Sequence, residues 1–287
     1  MSKYVNYNGE LKLSEDGLLM ADNRSFCYGD GFFETIRCLS SKPLFFDQHY
    51  LRIKHSLKAL KIELPREFSQ SFFEQEIFRL LQRSRLYKGV RVRIAFFRKS
   101  GGLYTPKNNT LEYLITAAEL PDEIYTLNQQ ALKVGVFTQL FKAQNFLSRI
   151  KSSNAQLYVM AGLWKQESGF DDCFICNEEG LIVEALSSNL FIVKDNTLLT
   201  PNIKSGCVAG TMRNTILNIA EANDIKVYFN NGLRANEILD ADEIFLTNAI
   251  QGIQSVTAFR SRRYFHTMAK FLLDQLNGNI KMSDSSI

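Results

Sequence analysis

The segment that decides the fold is 149-RIKSSN-154 together with 173-CFICNEEGLIVEALSSN-189. Between these two pieces, apolar residues recur at helical spacing and predict an amphipathic helix. Ser152 or Ser153 can cap the start of that helix, and Gly169 can take the left-handed conformation that ends it. The second piece has the pattern of a β-hairpin.

Two charged side chains in this segment can carry chemistry. Lys151 lies at the end of a polar connection, where a lysine is usually solvated. Glu184 shares a strand face with Ile182 and Leu186, because side chains alternate along a strand. If that face is covered, the carboxylate needs a partner, since burying it alone costs several kcal/mol. If the strand is an edge strand, Glu184 lies in water, and the local pattern leaves both alternatives open.

Length and composition describe a globular protein of one large domain or two ordinary ones. The chain has 287 residues, of which 45% are hydrophobic, and only five prolines. Its net charge of +4 is too small to indicate a nucleic-acid-binding surface. No apolar run reaches the ~18 residues of a membrane span, and the N-terminus lacks the apolar core of a signal peptide. We therefore expect a cytoplasmic protein with neither a nucleic-acid nor a membrane partner.

The five cysteines form no recognisable site. Cys173 and Cys176 are three positions apart in a predicted strand, which places them on opposite faces. No second pair and no nearby histidine completes a zinc site. We predict reduced, mostly buried thiols and no bound metal.

The N-terminal third has the pattern of a small α/β domain. Asn8-Gly9 predicts a hairpin between residues 3–7 and 10–13. Apolar stripes predict helices over 48–61, capped by Asp47, and over 67–86. Further strands are predicted over residues 32–39, 44–46, 89–97 and 110–117.

Three arginines in this third lie on predicted helices or strands near a buried face. Arg52 lies about 100° round the first helix from Ile53, beside the buried stripe, where a single arginine is ordinarily a rim residue. Arg91 and Arg93 share one face of the strand 89–97. That face can receive a substrate carboxylate, although a solvated face is the more common interpretation.

Residues 118–124, with the sequence AELPDEI, form the best linker in the chain. We predict a small N-terminal α/β domain over residues 1–117 and a larger C-terminal α/β domain over 125–287 that carries Lys151. In the larger domain, strands are predicted over 131–138, 190–193, 197–200 and 241–249, and a tail helix over 264–276. Gly210 stands at a helix entrance, where exposed N–H groups can bind a phosphate, although an ordinary capped helix is the commoner case.

Together these motifs resemble the class IV aminotransferases, the fold-type IV enzymes that use pyridoxal 5′-phosphate. The resemblance extends roughly from Asn8 to Ala258, and its motifs are specific in combination. They are 29-GDGFFETIR-37 with Asp47 and 49-HYLR-52, Lys151 with Asn154, Glu184 with 188-SN-189, 206-GCVAGTMR-213, and 247-TNA-249. The resemblance implies a two-domain fold of the α+β/α/β class, like D-amino-acid aminotransferase, with the cofactor in the interdomain cleft. It also implies a homodimer whose partner borders each active site.

The resemblance assigns roles to individual residues. Lys151 would hold the cofactor aldehyde as a Schiff base and then shuttle the Cα proton, which requires an amine of lowered pKa; Arg149 is a candidate for the neighbouring cation. Glu184 would keep the pyridine nitrogen protonated, which also gives a buried carboxylate its partner. The other expected cofactor contacts are Arg52, which would clamp the phosphate, and Asn189, Thr211, Met212, Asn248 and Ala249. Many members have threonine where this chain has Met212.

The substrate class divides three ways within the resemblance. Branched-chain transaminases usually carry an Asn-Tyr pair after the lysine, but here Asn154 is followed by Ala155. D-amino-acid transaminases place an arginine and a histidine after the strand that ends at Arg98, but here 99-KSGGLY-104 follows. The Ser-Gly-Gly turn, the VAGTMR turn and 247-TNA-249 are most similar to 4-amino-4-deoxychorismate lyases, which release pyruvate and 4-aminobenzoate.

The resemblance implies a small substrate, either an amino acid or an aminodeoxychorismate-like molecule. Its candidate contacts are Tyr28, Glu34, Arg91, Arg93 and Arg98, and Glu34 is also common among transaminases. Two alternatives come from other classes: a homologue that binds without catalysis, and a nucleotide-binding oxidoreductase. The second lacks the Gly-rich dinucleotide fingerprint.

Overall fold

The chain forms two compact units. The computed structural model describes residues 2–130 and 132–285, with side chains as far as Met282. One unit contains residues 1–124 and 150–154, and the other contains 125–149 and 155–287. The first division falls at the end of the predicted linker, whose first two residues, Ala118 and Glu119, complete a strand instead.

The first unit is an antiparallel sheet with three helices. Its strands are β1 (Tyr4–Tyr7), β2 (Glu10–Leu13), β3 (Gly31–Leu39), β4 (Lys42–Pro43), β5 (Val90–Arg98) and β6 (Leu111–Glu119). Its helices are α1 (Arg24–Tyr28), α2 (Phe46–Leu60) and α3 (Gln70–Ser84). The strand order is β2-β1-β6-β5-β3-β4. The predicted hairpin at Asn8-Gly9 is confirmed, since Tyr7 pairs with Glu10 and both turn residues have positive φ.

One face of this sheet is the core of the unit. Apolar residues at alternate positions of β3 and β5, such as Phe32 and Ile94, pack with Ile53 of α2 and Ile77 of α3. The expected strand over 44–46 is wrong. Phe45 takes a left-handed conformation (φ 53°), and α2 begins at the next residue because Phe46 is buried in the core.

The segment 150–154 packs with the first unit, which corrects the expectation that Lys151 belongs wholly to the C-terminal domain. Ser152 forms a bridge with Phe32, beside the part of β3 that β4 leaves unpaired. The predicted helix cap at Ser152 or Ser153 is also wrong for this reason. The helix begins later, at Gln156, with Ala155 at its N-cap and no side-chain cap.

The second unit is built on a mixed ten-stranded sheet. Its strands are β7 (Lys133–Lys142), β8 (Asp172–Asn177), β9 (Ile182–Ala185), β10 (Asn189–Lys194), β11 (Thr197–Pro201), β12 (Val227–Asn230), β13 (Glu243–Asn248), β14 (Gly252–Val256), β15 (Ala258–Phe259) and β16 (Arg262–Arg263). Its helices are α4 (Gln156–Glu167), α5 (Thr211–Ala222), α6 (Ala235–Leu239) and α7 (Thr267–Ser285). The order is β12-β11-β10-β9-β8-β7-β15-β16, and β13 pairs with β10 and β14. Ala131, the first residue of a predicted strand, lies outside the described residues.

Two predictions in this unit are confirmed. Gly169 has a φ of 69°, the left-handed conformation expected just after α4. Cys173 and Cys176 lie on opposite faces of β8, since they belong to different hydrophobic clusters. All five cysteines are free thiols, and Cys27 is the exposed one. In the part of the chain that is described, no helix combines the length and hydropathy that crossing a membrane requires.

Candidate active site

Lys151 lies on the sheet face opposite the core of the first unit. The N–H of Phe33 donates to the Lys151 carbonyl at 3.0 Å, which fixes this segment along β3. The Lys151 Nζ is 4.3 Å from the centre of the Phe33 ring, and the Arg93 Cζ is 3.6 Å from the same centre. The distance between the Lys151 Nζ and the Arg93 Cζ therefore cannot exceed the sum of these two distances. Lys151 and Arg93 share one aromatic surface.

The Arg91 and Arg93 guanidiniums have no anionic partner in the described part of the chain. Arg91 is exposed, and Arg93 is half-buried. Within residues 2–130 and 132–285, neither guanidinium takes part in a hydrogen bond or a salt bridge. Burial and the charge of Arg91 both lower the pKa of Arg93. This face of the first unit is therefore a cationic surface beside Lys151.

Arg98 is a structural residue, which corrects its assignment as a substrate contact. Its Nε donates to Asp30 at 3.0 Å, and its Nη2 donates to Asp30 at 3.4 Å and to the carbonyl of Leu60 at 2.7 Å. Its Nη1 donates to the carbonyl of Lys61 at 3.1 Å and to the side chain of Asn109. All five donor hydrogens of the guanidinium are used within the unit, so none remains for a substrate carboxylate.

Glu34 is also corrected, because it points away from Lys151. It alternates with Phe33 along β3, so its side chain enters the core beneath α2, where it is fully buried. Arg52 donates to both of its oxygens, at 2.8 and 2.6 Å, and the Nδ1 of His49 lies 2.6 Å from Oε2. Burial raises the pKa of Glu34, but Arg52 and His49 outweigh burial and hold that pKa at about 2.

Arg52 and Tyr28 keep their assigned roles only as predictions. The Nε and Nη2 of Arg52 bind Glu34, which fixes the plane of the guanidinium. Tyr28 is at the end of α1, and 38% of its surface is exposed. Its ring contacts the ring of Tyr104 and the guanidinium of Arg24, with centre distances of 5.6 and 5.0 Å.

Glu184 is a buried carboxylate of the second unit. Only 2% of its surface is exposed, so the structure decides against an edge position in water. Its Oε1 accepts hydrogen bonds from the Lys142 Nζ at 2.5 Å and from the Tyr158 hydroxyl at 2.7 Å. Its Oε2 accepts one from the Val208 N–H at 2.7 Å. In the β9–β10 pairing, Glu184 lies directly opposite Asn189.

The turn before α5 is held against Asn189. The Asn189 side chain donates from Nδ2 to the Val208 carbonyl at 2.8 Å. Gly210 is the N-cap of α5 and contacts the same side chain so closely that a Cβ there would overlap Oδ1. Thr211 and Met212, the first residues of the helix, are buried, and no side chain caps it. The first N–H groups of a helix have no acceptor within it, so this end can bind an anion.

The turn after β13 lies beside Ser188, at the start of β10. The Asn248 Nδ2 donates to the Ser188 hydroxyl at 2.9 Å and to the Gln251 side chain at 2.8 Å. The Asn248 Oδ1 accepts from the Gln251 N–H at 2.8 Å, and the Ala249 carbonyl accepts from the Tyr125 hydroxyl at 2.7 Å. The Asn248 side chain is therefore used to shape its own turn. Its expected contact with a phosphate stays a prediction.

The pattern of residues in these segments matches one family. The model for amino-transferase class IV matches residues 31–259, which is most of the chain. The chain belongs to the class IV aminotransferase family. Members of this family use pyridoxal 5′-phosphate.

Relatives within the family have three different names. A D-alanine aminotransferase of Bacillus licheniformis is 28% identical, with 88% of this chain and 87% of the relative covered. An aminodeoxychorismate lyase of Bacillus subtilis is 27% identical, with 91% and 88% covered. A branched-chain-amino-acid aminotransferase of Pseudomonas aeruginosa is 26% identical, with 90% and 85% covered. These near-equal identities to relatives with different names leave the reaction open.

Solved structures establish the fold. The branched-chain aminotransferase of Thermoproteus uzoniensis with norvaline has a TM-score of 0.85 at 19% identity, covering 96% of this chain and 93% of that one. The branched-chain amino acid aminotransferase of Escherichia coli has a TM-score of 0.84 at 21% identity, covering 95% and 92%. A further branched-chain aminotransferase, complexed with N-(5′-phosphopyridoxyl)-L-glutamate, has a TM-score of 0.83 at 22% identity, covering 95% and 92%. The chain therefore has the two-domain architecture of fold-type IV enzymes, as expected.

Lys142 and Tyr158, which lie beside Glu184, were not predicted from the sequence. Lys142 is buried although its neighbours Leu140 and Phe141 are exposed, and the β7–β8 pairing is irregular between Phe137 and Lys142. No local pattern indicates a buried lysine there. Tyr158 gave a weak signal, since it follows Leu157 of the apolar stripe of α4, but only the three-dimensional structure brings it to Glu184.

Proposed function

We propose that this chain is a pyridoxal 5′-phosphate enzyme in which Lys151 is attached to the cofactor aldehyde and Glu184 pairs with the ring nitrogen. We further propose that its reaction converts 4-amino-4-deoxychorismate to 4-aminobenzoate and pyruvate. The attachment follows the family motif at Lys151. The reaction rests on the cationic surface that Arg91 and Arg93 form beside Lys151.

The donor and acceptor groups of the second unit fit the cofactor. Glu184 Oε2 accepts one hydrogen bond and keeps room for a second, which suits a protonated ring nitrogen. The uncapped start of α5 suits a phosphate, because its N–H groups and the helix dipole both favour an anion. Gly210 allows this turn to lie against Asn189, where a larger residue would collide.

The cofactor, when bound, supplies an electron sink for a carbanion, and the protein positions groups around it. The Lys151 amine would be the group that takes the proton from the substrate carbon that carries the amino group. A neutral amine is needed for that transfer. Arg93 contacts the same Phe33 ring as Lys151.

Arg91 and Arg93, which meet no carboxylate among the described residues, favour a substrate with more than one carboxylate. 4-Amino-4-deoxychorismate carries a ring carboxylate and an enolpyruvyl carboxylate, and a guanidinium binds each in a bidentate manner. A branched-chain amino acid has an apolar side chain, which Arg91 and Arg93 do not suit. The D-amino-acid alternative expects an arginine and a histidine after β5, where this chain has 99-KSGGLY-104 instead.

The reaction is tested by incubating purified protein and cofactor with enzymatically prepared 4-amino-4-deoxychorismate. We expect 4-aminobenzoate and pyruvate in equal amounts, with no keto acid required, and no product from Lys151→Ala. The matched variant Arg93→Met should raise KM more than it lowers kcat. A protein that forms neither product, but transfers an amino group from D-alanine or a branched-chain amino acid to 2-oxoglutarate, is a transaminase and contradicts the proposed lyase reaction.

We also propose that the chain forms a homodimer, as the resemblance implies. Helix α4 supports this, because three of its apolar side chains are exposed: Val159, Met160 and Leu163. Exposed apolar surface of this kind is unusual outside interfaces. Size-exclusion chromatography with light scattering should give a mass about twice the 32.8 kDa of one chain. A monomer at micromolar concentration would contradict the proposal.

A further inference from the structure

The two oxygens of Glu184 have different surroundings. Oε1 accepts from the Lys142 ammonium at 2.5 Å and from the Tyr158 hydroxyl at 2.7 Å. A carboxylate oxygen has about two lone-pair positions, so Oε1 is fully used. Among the residues that the structure describes, Oε2 accepts only the Val208 N–H. The bonds to Oε1 therefore fix the carboxylate, and Oε2 can accept a further hydrogen bond.

Lys142 is unusual among the lysines of the second unit because it is buried. Only 8% of its side chain is exposed, compared with 3% for Glu184. An ion pair at this depth persists only with close geometry and further hydrogen bonds, which Tyr158 and Val208 supply. The Lys142 Nζ also lies 5.5 Å from the centre of the Tyr158 ring. Burial and the nearby carboxylate raise the pKa of Tyr158 well above its usual range, so the phenol is a neutral donor.

We propose that Lys142 and Tyr158 are positioning residues for Glu184. Lys142 is the counter-ion that pairs with the buried carboxylate before any cofactor binds. Lys142 and Tyr158 together occupy Oε1, so that Oε2 is the oxygen that meets a protonated ring nitrogen. The last statement rests on the proposed function, whereas the counter-ion role concerns the cofactor-free protein alone.

Besides the Lys142–Glu184 ion pair, other polar groups surround the carboxylate. Besides Lys142, the groups that face Glu184 are the phenol of Tyr158, the Val208 N–H and the Cys207 thiol. Burial, and then Glu184, raise the pKa of Cys207 to about 11, so the thiol is neutral. Lys142 is therefore the cation that hydrogen-bonds directly to the carboxylate within the described residues.

The first experiment measures the urea midpoint of the cofactor-free protein between about pH 5 and pH 8. In Lys142→Met the carboxylate is buried without a cation, and burial favours its protonated form. An acid whose folded pKa is raised contributes stability at low pH that is lost as pH rises. The midpoint of Lys142→Met should therefore fall as pH rises, relative to the wild type, and Lys142→Arg should restore the wild-type profile.

Two further variants identify the source of that pH dependence. Lys142→Met combined with Glu184→Gln removes both charges, so the pH dependence should disappear and the protein should fold even if the single variant does not. Lys194→Met is the matched control, because Lys194 also pairs with a carboxylate, but at the surface. Its Nζ is 3.8 Å from Asp242 Oδ1, and both side chains are half-exposed. It should leave the pH profile unchanged. A Lys142→Met profile parallel to the wild type overturns the counter-ion role.

The second experiment titrates the same proteins with pyridoxal 5′-phosphate at neutral pH. We expect Lys142→Met to bind about tenfold more weakly, as is usual when a group that orients a ligating residue is removed, with partial recovery in Lys142→Arg. Tyr158→Phe should also weaken binding. Equal affinity in wild type and Lys142→Met overturns the positioning role. A wild type that does not bind the cofactor refutes the proposed function instead, while the urea midpoints still decide the counter-ion role.

Discussion

The pair of Glu34 with Arg52 predicts a specific response to acid. Glu34 is fully buried; Arg52 donates to both of its oxygens, and the His49 Nδ1 contacts Oε2. Its pKa in the folded protein is about 2, whereas the ordinary value is about 4.5. We predict that Glu34→Gln, which keeps the shape and removes the charge, destabilises the protein strongly at neutral pH and weakly in acid.

The magnitude follows from the pKa difference. A tenfold change in a proton-binding equilibrium corresponds to about 1.4 kcal/mol, so the fall in the pKa of Glu34 from 4.5 to about 2 means that its ionised state contributes about 3 kcal/mol to folding. Because the folded pKa is depressed, that contribution is fully present above about pH 4.5 and is lost as pH falls towards about 2. Breaking a buried pair by removing one partner typically costs about 3 to 5 kcal/mol, which agrees with this figure.

The assay is urea unfolding of wild type and Glu34→Gln at neutral pH and at about pH 3, with cofactor absent. The free energies of unfolding should differ by about 3 kcal/mol at neutral pH and by clearly less in acid. Glu10→Gln is the control, because Glu10 is 74% exposed and its salt bridge with Lys12 should contribute little. A difference that is the same at both pH values would refute the electrostatic account of Glu34.

Three more substitutions test other parts of the structure. Gly210→Ala should lower the free energy of unfolding by about 2 to 4 kcal/mol, because the new Cβ displaces Asn189 although the backbone angles suit alanine. The control is Gly17→Ala, which has no atom near the new Cβ and should change stability little. Thermal unfolding measures both. Glu243→Gln should cost about 1 kcal/mol in urea, because the carboxylate accepts from two backbone N–H groups at the start of α7. Arg98→Lys should lower stability by about 2 to 4 kcal/mol and leave the substrate KM nearly unchanged, and a large rise in KM would restore Arg98 as a substrate contact.

Local signals in the sequence predict much of the fold. The hairpin at Asn8-Gly9 follows from turn chemistry, and Gly169 follows from the end of an apolar helix. The alternation of β5 correctly places Arg91 and Arg93 on the face opposite the core. These features depend on a few consecutive residues, so they can be recognised without knowing the rest of the chain.

Features that depend on distant residues could not be predicted in the same way. The expected caps at Ser152 and Ser153 fail because these residues pair with β3, more than a hundred positions earlier. Glu34 was assigned to the substrate because it belongs to a family motif, but strand alternation directs it towards His49. Lys142 lies in a run where apolar neighbours are exposed, so nothing nearby indicates that it is buried.

In the candidate site, the sequence selected residues of the second unit that lie together in the structure. Glu184 and Asn189 are opposite each other in the β9–β10 pairing, and Asn189 contacts Gly210 at the entrance of α5. The sequence could not reveal the partners of the carboxylate, because Lys142 and Tyr158 come from different elements. Long-range hydrogen bonds of this kind are visible only in three dimensions.

The attachment of the cofactor at Lys151 is the central claim, and borohydride reduction tests it most directly. Purified protein is incubated with pyridoxal 5′-phosphate, its absorbance near the visible edge is recorded, and it is reduced, digested and analysed by mass spectrometry. We predict a yellow protein with the reduced cofactor on the peptide that contains Lys151, and no such linkage in Lys151→Ala. A protein that stays colourless, or a label carried by another lysine, would contradict the account.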